Sequence, residues 1–216
     1  NLNGGIKMKN NRLLWFVTLT LLVALMIVME FTGIGYIGAP VEITLMCIPV
    51  IIATLSLGLL GGEIAALFFA LTSAYTALVK PVGFAVIFAD YPAIMYTTIF
   101  AAPLLIPVSV WGVQKLTSKW KKKSLSTGLA SLAGSLTNTI FFLGLMFLLG
   151  WEVIAQNYSS GTPLSMGGVA AVLGGIVISN GILEAVAAVI LCTAIVTALQ
   201  KAKLIPIYWR KDVTGN

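Results

Sequence analysis

The stretch "SLTNTIFFLGLMFLLG", Ser135–Gly150, reads in two ways at once. From Ile140 onward it is apolar enough for lipid, and extending it back to Gly128 gives a run of spanning length. A helix needs about 20 such residues to cross a hydrocarbon core of roughly 30 Å. Yet Thr137-Asn138-Thr139 sets an amide between two hydroxyls inside the run. A polar group in hydrocarbon is unfavourable unless it is partnered, so these side chains face protein. A second run, "ISNGILEAVAAVIL" at Ile178–Leu191, repeats the pattern with Asn180 and Glu184. The two runs are either separate or two walls of one site.

Composition decides the class. The hydrophobic fraction is 59% and the charged fraction 9%, where soluble domains carry roughly 25% charge. The apolar residues come in continuous runs and not in alternation, which predicts a helical integral membrane protein and not a barrel. Six spans are expected, near Leu13–Phe31, Val41–Leu60, Glu63–Val79, Ala93–Val113, Gly128–Gly150 and Val169–Leu199. "GLLGGE", Gly58–Glu63, reads as the tight turn between the second and third. The expected fold is an all-α membrane protein, six transmembrane helices in a compact bundle. Residues 1–11 read as a leader, 12–203 as one membrane domain, and 204–216 as a tail on the inner side.

Positive charge sets the expected orientation. Lys7, Lys9 and Arg12 precede the first span. Lys115, Lys119 and Lys121-Lys122-Lys123 follow the fourth, and Lys201, Lys203, Arg210 and Lys211 follow the sixth. With six spans these clusters share one side, which the positive-inside rule makes cytoplasmic, both termini included. The net charge of +6 is thus a topology signal. The "KWKKK" run reads as a solvated inner loop near anionic lipid and not as a nucleic-acid site. Trp15 and Trp111 fall near the inner interface, and Trp151, Tyr36 and Tyr158 near the outer one, as in an aromatic belt. The longer loops lie outside, where recognition is expected.

The function classes narrow by chemistry. Histidine is absent, which removes the commonest general base and the usual zinc ligand. Cys47 and Cys192 lie in apolar segments and read as small core residues, so no metal site or cofactor is expected. No G-x-x-x-x-G-K-[ST] loop occurs, so energy for any transport comes from a partner or a gradient. An intramembrane enzyme would need an acid or base constellation that these residues do not offer.

The polar constellation carries the rest. Asn180 and Glu184 are four residues apart and share a face of a regular helix. Glu at mid-span costs about 2.5–3.5 kcal/mol or more against lipid, so it faces inward, with Asn138 and Asn180 as partners. Ser131, Ser135 and Asn138 form a matching stripe on the fifth span. The set is a hydrogen-bond clamp between spans five and six, or the floor of an outward-facing pocket. Thr137, Tyr91 and Tyr96 are further candidate ligand contacts, and Pro103 and Pro107 a candidate kink. Lys80, the single outer cation, either meets a ligand carboxylate or pairs with Asp90. Thr20-x-x-x-Ala24 on the first span, and Ala187, Ala194 and Ala198 on the sixth, permit close helix packing.

Taken together, the chain resembles the substrate-binding S components of energy-coupling factor (ECF) vitamin transporters, from about Arg12 to Lys203. The resemblance rests on "ITLMCIPVIIATLSLGLLGGEIAALFFALTS", "GSLTNTIFFLGLMFLL" and "ISNGILEAVAAVIL". It implies a multi-pass prokaryotic plasma-membrane protein that captures a small vitamin outside. It further implies a membrane scaffold subunit and two cytoplasmic ATPases as partners, with no enzymatic activity of its own. Docking through A-x-x-x-A on the first span is implied at Thr20 and Ala24, with Thr20 replacing the first alanine. Leu183 stands where the family often has proline, which predicts a straighter sixth helix. The pantothenate branch is the most similar in appearance, and riboflavin, folate, pyridoxine and thiamine-precursor branches remain open. Glu42, Asp90 and Glu152 against Lys80 disfavour a polyanionic ligand. The alternative from another class is a stand-alone secondary transporter that uses Glu184 as a proton carrier.

Overall fold

The computed structural model describes residues 2–32, 36–37, 43–81, 83–157 and 161–202, with 2–11, 36–37 and 43–44 described as backbone. Glu42, Tyr158, Lys203, the tail at 204–216 and the side chain of Tyr36 therefore lie outside the described residues. The elements are α1 (Leu2–Thr32), β1 (Tyr36–Ile37), β2 (Ile43–Thr44), α2 (Cys47–Val79), α3 (Phe84–Ile87), α4 (Pro92–Leu116), α5 (Lys123–Asn157), α6 (Met166–Ile176), a π turn (Val177–Gly181) and α7 (Ile182–Lys201). Helix dominates, as the apolar runs demand. Among the described residues five helical segments are long and apolar enough to span a bilayer: Arg12–Thr32, Cys47–Val79, Pro92–Leu116, Lys123–Asn157 and Met166–Lys201.

The second of these folds back on itself. Gly58 takes φ 81° and ψ −176°, a region open in practice only to glycine. A Cβ placed on Gly62 would overlap the Thr54 hydroxyl. In an unbroken helix those two residues stand about 12 Å apart. The chain therefore reverses at Gly58, where "GLLGGE" predicts a turn. The first arm, residues 47–57, is buried throughout. At about 16 Å it is half the thickness of the hydrocarbon core. This corrects the expected span Val41–Leu60. Helix begins only at Cys47, and of the described residues before it Ile43–Thr44 are a strand, with β1 and β2 antiparallel through Tyr36↔Thr44 and Ile37↔Ile43. Non-helical backbone at such depth is tolerated where protein covers it, and β2 touches α7.

Contacts between the helices fix which ends lie together. The Trp15 indole donates to the Leu57 carbonyl at 3.1 Å, so the start of the first span meets the Gly58 reversal. Thr117 and Ser126 share a hydroxyl–hydroxyl bond across the α4–α5 turn. Gly128 on α5 lies beside Thr193 on α7. Phe31 and Tyr75 pack edge to face at 5.7 Å, joining the far ends of α1 and α2. The lysine-rich α4–α5 turn thus sits at the same end as the last turns of α7.

Among the described residues two apolar clusters form the core. One surrounds the first arm of α2 with Met26 of α1, Ile106 and Val110 of α4, and Ala188, Cys192 and Val196 of α7. The other joins Phe88, Met95, Leu143, Met146, Ile154, Val169 and Leu173 toward the opposite end. Phe88 is fully buried against Gly150, where α5 breaks and any Cβ would overlap the ring. Pro103 and Pro107 are buried inside a continuous α4. Pro107 lies against Gly62, so that proline packs the hairpin instead of opening a cavity. Cys47 and Cys192 are buried, and neither is in a disulfide.

Candidate functional site

Along α5 and along α6–α7, the polar residues fall between the stretches that feed the two apolar clusters. Ala130 belongs to one cluster and Leu143 to the other, with Ser135, Asn138 and Thr139 between them. On the partner segment, Leu173 and Ala188 bracket Gly181 and Glu184. The candidate site is this polar layer. Its central contact is a hydrogen bond of 2.9 Å from the Thr139 hydroxyl to Glu184 Oε2. Glu184 is only 6% exposed, so a lipid-facing placement is excluded. The Thr139 hydroxyl is also 3.3 Å from the Ser135 carbonyl. A hydroxyl carries one proton, and a carboxylate is the stronger acceptor.

This corrects one expectation. The α5 partner of Glu184 is Thr139 and not Asn138, which is buried one residue earlier. Successive helical residues turn by about 100°, so Thr137, Asn138 and Thr139 cover more than half the circumference. The sequence names the trio but not the member that faces α7. Thr137 is half-buried.

The α7 side differs from a regular helix. Residues Val177–Gly181 form a π turn. The Ser179 hydroxyl donates to the Gly175 carbonyl at 2.9 Å and lies 3.3 Å from Asn180 Oδ1. The simple four-residue relation of Asn180 to Glu184 is therefore altered. Asn180 is half-buried, while Gly181 is buried, and a Cβ there would stand 3.2 Å from Thr139 Cγ2. Close approach of α5 at Gly181 is what lets the short Thr139 side chain reach Glu184. Leu183 in place of proline thus does not straighten the segment, because the bulge lies upstream of it, over Val177–Gly181. Such bulges recur at functional positions.

A third wall comes from α2. Cys47, the first residue of its buried arm, lies beside Ser135 and within electrostatic reach of Glu184. The Cys192 thiol approaches the Ile48 carbonyl at 3.8 Å, two turns below Glu184. The structure therefore joins α2, α5 and α7 around one carboxylate.

The other expected contacts stand apart. Lys80 closes α2 and is exposed, Tyr91 precedes α4 and is 45% exposed, and Tyr96 is half-buried against the second cluster. Among the described residues no hydrogen bond joins these three to the Glu184 layer. Thr97 and Thr98 return their hydroxyls to the Ala93 and Met95 carbonyls of their own helix. Thr20 and Ala24 are exposed on α1. Sequence reasoning missed Thr139 as the bonding residue, Cys47 as a wall, and Glu30. Glu30 is 5% exposed and engaged. The available signal was a lone acid closing the first apolar run. An apolar groove of ≈ 250 Å³ runs between α5 and α6, lined by residues including Gly144, Phe147, Leu173 and Gly174. It holds none of the expected ligand contacts. Among the described residues no cluster suits a metal ion.

A membrane-embedded helical protein with one inward-facing polar layer is the class that fold and site define. Residues 14–196 match the family described as "ECF transporter, substrate-specific component". The chain belongs to that family and is a multi-pass membrane protein of vitamin uptake. It is also 30% identical over 197 residues to the pantothenic acid transporter PanT of Lactococcus lactis subsp. cremoris (strain MG1363), covering 86% of this chain and 93% of the relative.

Proposed function

We propose that the protein is the pantothenate-binding subunit of an ECF-type importer. It takes the vitamin from the extracellular side and delivers it through a scaffold subunit driven by two cytoplasmic ATPases. The observation that carries this reading is the 30% identity to a pantothenic acid transporter along nearly the full length of both chains. Residues 12–203 form the substrate-binding domain, with six crossings in which the buried first arm of α2 makes only the inner half of the second, and both ends cytoplasmic. In this reading Asn138, Asn180, Thr137 and Glu184 form the floor of the pocket. Tyr91, Tyr96 and Lys80 belong to its outer rim, where Lys80 meets the single carboxylate of pantothenate. The Thr139–Glu184 bond acts as a clamp that closes the lower end.

The docking face is α1, through Thr20 and Ala24. Its apolar window is 17% buried, against 67% for α2, so it has the most surface to offer a partner. Small residues there permit close approach of another helix.

The test is to purify the protein, denature it, and identify released small molecules by mass spectrometry, followed by direct titration with pantothenate. Pantothenate is the expected release. Another vitamin would keep the class and remove the substrate. Substrate-driven proton flux in vesicles holding this chain alone would replace the reading with the secondary transporter. Unchanged binding in Lys80→Ala, with loss in Asn138→Ala, would remove the carboxylate contact alone.

A further inference from the structure

The α4–α5 turn carries five lysines within nine residues, at 115, 119, 121, 122 and 123, and no acidic residue. The structure sorts them. Lys115 is drawn back over the Trp111 ring, its Nζ 4.7 Å from the centroid. Lys123 donates to the Ser118 carbonyl, folding over the turn. Among the described residues no hydrogen bond or ion pair engages the side chains of Lys119, Lys121 or Lys122, and all three residues are exposed. Beside them Leu116 is 82% exposed and Trp120 42% exposed. The turn is tied down by the Thr117–Ser126 bond, so these side chains project from a fixed base.

We propose that this turn is a binding site for anionic phospholipid headgroups, read by Lys119, Lys121 and Lys122 and anchored in the interface by Leu116 and Trp120. Three features point to lipid. The turn joins two membrane-spanning helices, so its apolar side chains stand at interfacial depth. Trp favours that zone. Unpaired lysines directly at the end of a span attract anionic headgroups, with charge opposite to their own. The inference concerns individual lysines and goes beyond the orientation that the charge count implies. Lys115 and Lys123 carry the same formal charge but are held by the protein itself.

The experiment compares the full chain with the triple variant K119Q/K121Q/K122Q and the double variant K115Q/K123Q. Each is reconstituted in nanodiscs of phosphatidylcholine with phosphatidylglycerol, then released and examined for retained lipid by native mass spectrometry. Wild type and the double variant should retain phosphatidylglycerol over phosphatidylcholine. The triple variant should lose roughly a hundredfold of that preference, given the attraction of about one lysine-equivalent at each of three positions. The preference should also fall with salt, as the screening length drops from about 10 Å at 0.1 M to about 3 Å at 1 M. Equal retention by the triple variant overturns the proposal. Equal losses in both variants overturn it too, because net charge alone would then explain the effect. Retained phosphatidylglycerol with lost assembly on the ECF module would make the turn a protein-docking surface. A thermal melt of the triple variant matching wild type keeps misfolding out of the comparison.

Discussion

At the scale of single residues, the decisive contact is one hydroxyl on one carboxylate. Thr139 donates to a Glu184 that is almost wholly enclosed. Removing the donor leaves a buried acceptor short of a partner, which costs about 1–3 kcal/mol in general. Inter-helix hydrogen bonds in membranes average nearer 0.6 kcal/mol. Thr139→Val, which keeps the shape, should therefore lower stability by about 1 kcal/mol, read as a fall in melting temperature in detergent. Thr139→Ser should restore it. Gly58 is the second residue on which much depends. A side chain at φ 81° and ψ −176° is strained, by about 1–3 kcal/mol. Gly58→Ala should destabilise by that amount, whereas Gly144→Ala, with open space around it, should be nearly neutral. Equal melting temperatures for the two glycine variants would contradict the reversal at Gly58.

At the scale of elements, the buried first arm of α2 organises the bundle. Its carboxyl end lacks helical partners for its last carbonyls because the chain turns at Gly58. Trp15 supplies one donor, to Leu57, and so ties the least buried span to the most buried one. Trp15→Phe keeps the ring and drops the bond. It should cost about 1 kcal/mol in chemical or thermal unfolding and leave ligand binding by the isolated protein within about twofold. The π turn between α6 and α7 is the other irregular element. It sets Gly181 against Thr139, so Gly181→Leu should push α5 and α7 apart and separate Thr139 from Glu184. Loss of the bond should appear as a drop in stability comparable to that of Thr139→Val, and the two variants together should be less than additive.

At the scale of the whole molecule, the architecture is a membrane bundle with a polar layer between two apolar clusters. The chain belongs to the ECF substrate-specific family and its sequence carries no G-x-x-x-x-G-K-[ST] nucleotide loop. Reconstituted alone it should bind vitamin and show no uptake, and added ECF module with ATP should start uptake. Transport by the lone chain, measured as accumulated label in vesicles, would remove the proposed division of labour.

The sequence by itself determined the class, the rough position of the apolar runs, the Gly58 turn and the family. Those features depend on local composition and on hydrocarbon thickness, which any window of some 20 residues reports. It also named the polar segments, because a polar residue in lipid needs a reason wherever it occurs. Only the tertiary structure decided which residue of Thr137, Asn138 and Thr139 meets Glu184, and that Cys47 of α2 comes near the same carboxylate. It alone showed the late helical start at Cys47 and the bulge at Val177–Gly181. Facing is a matter of rotation by about 100° per residue. One inserted or unwound residue resets it, and contact between segments 45 residues apart fixes it only when both helices are packed.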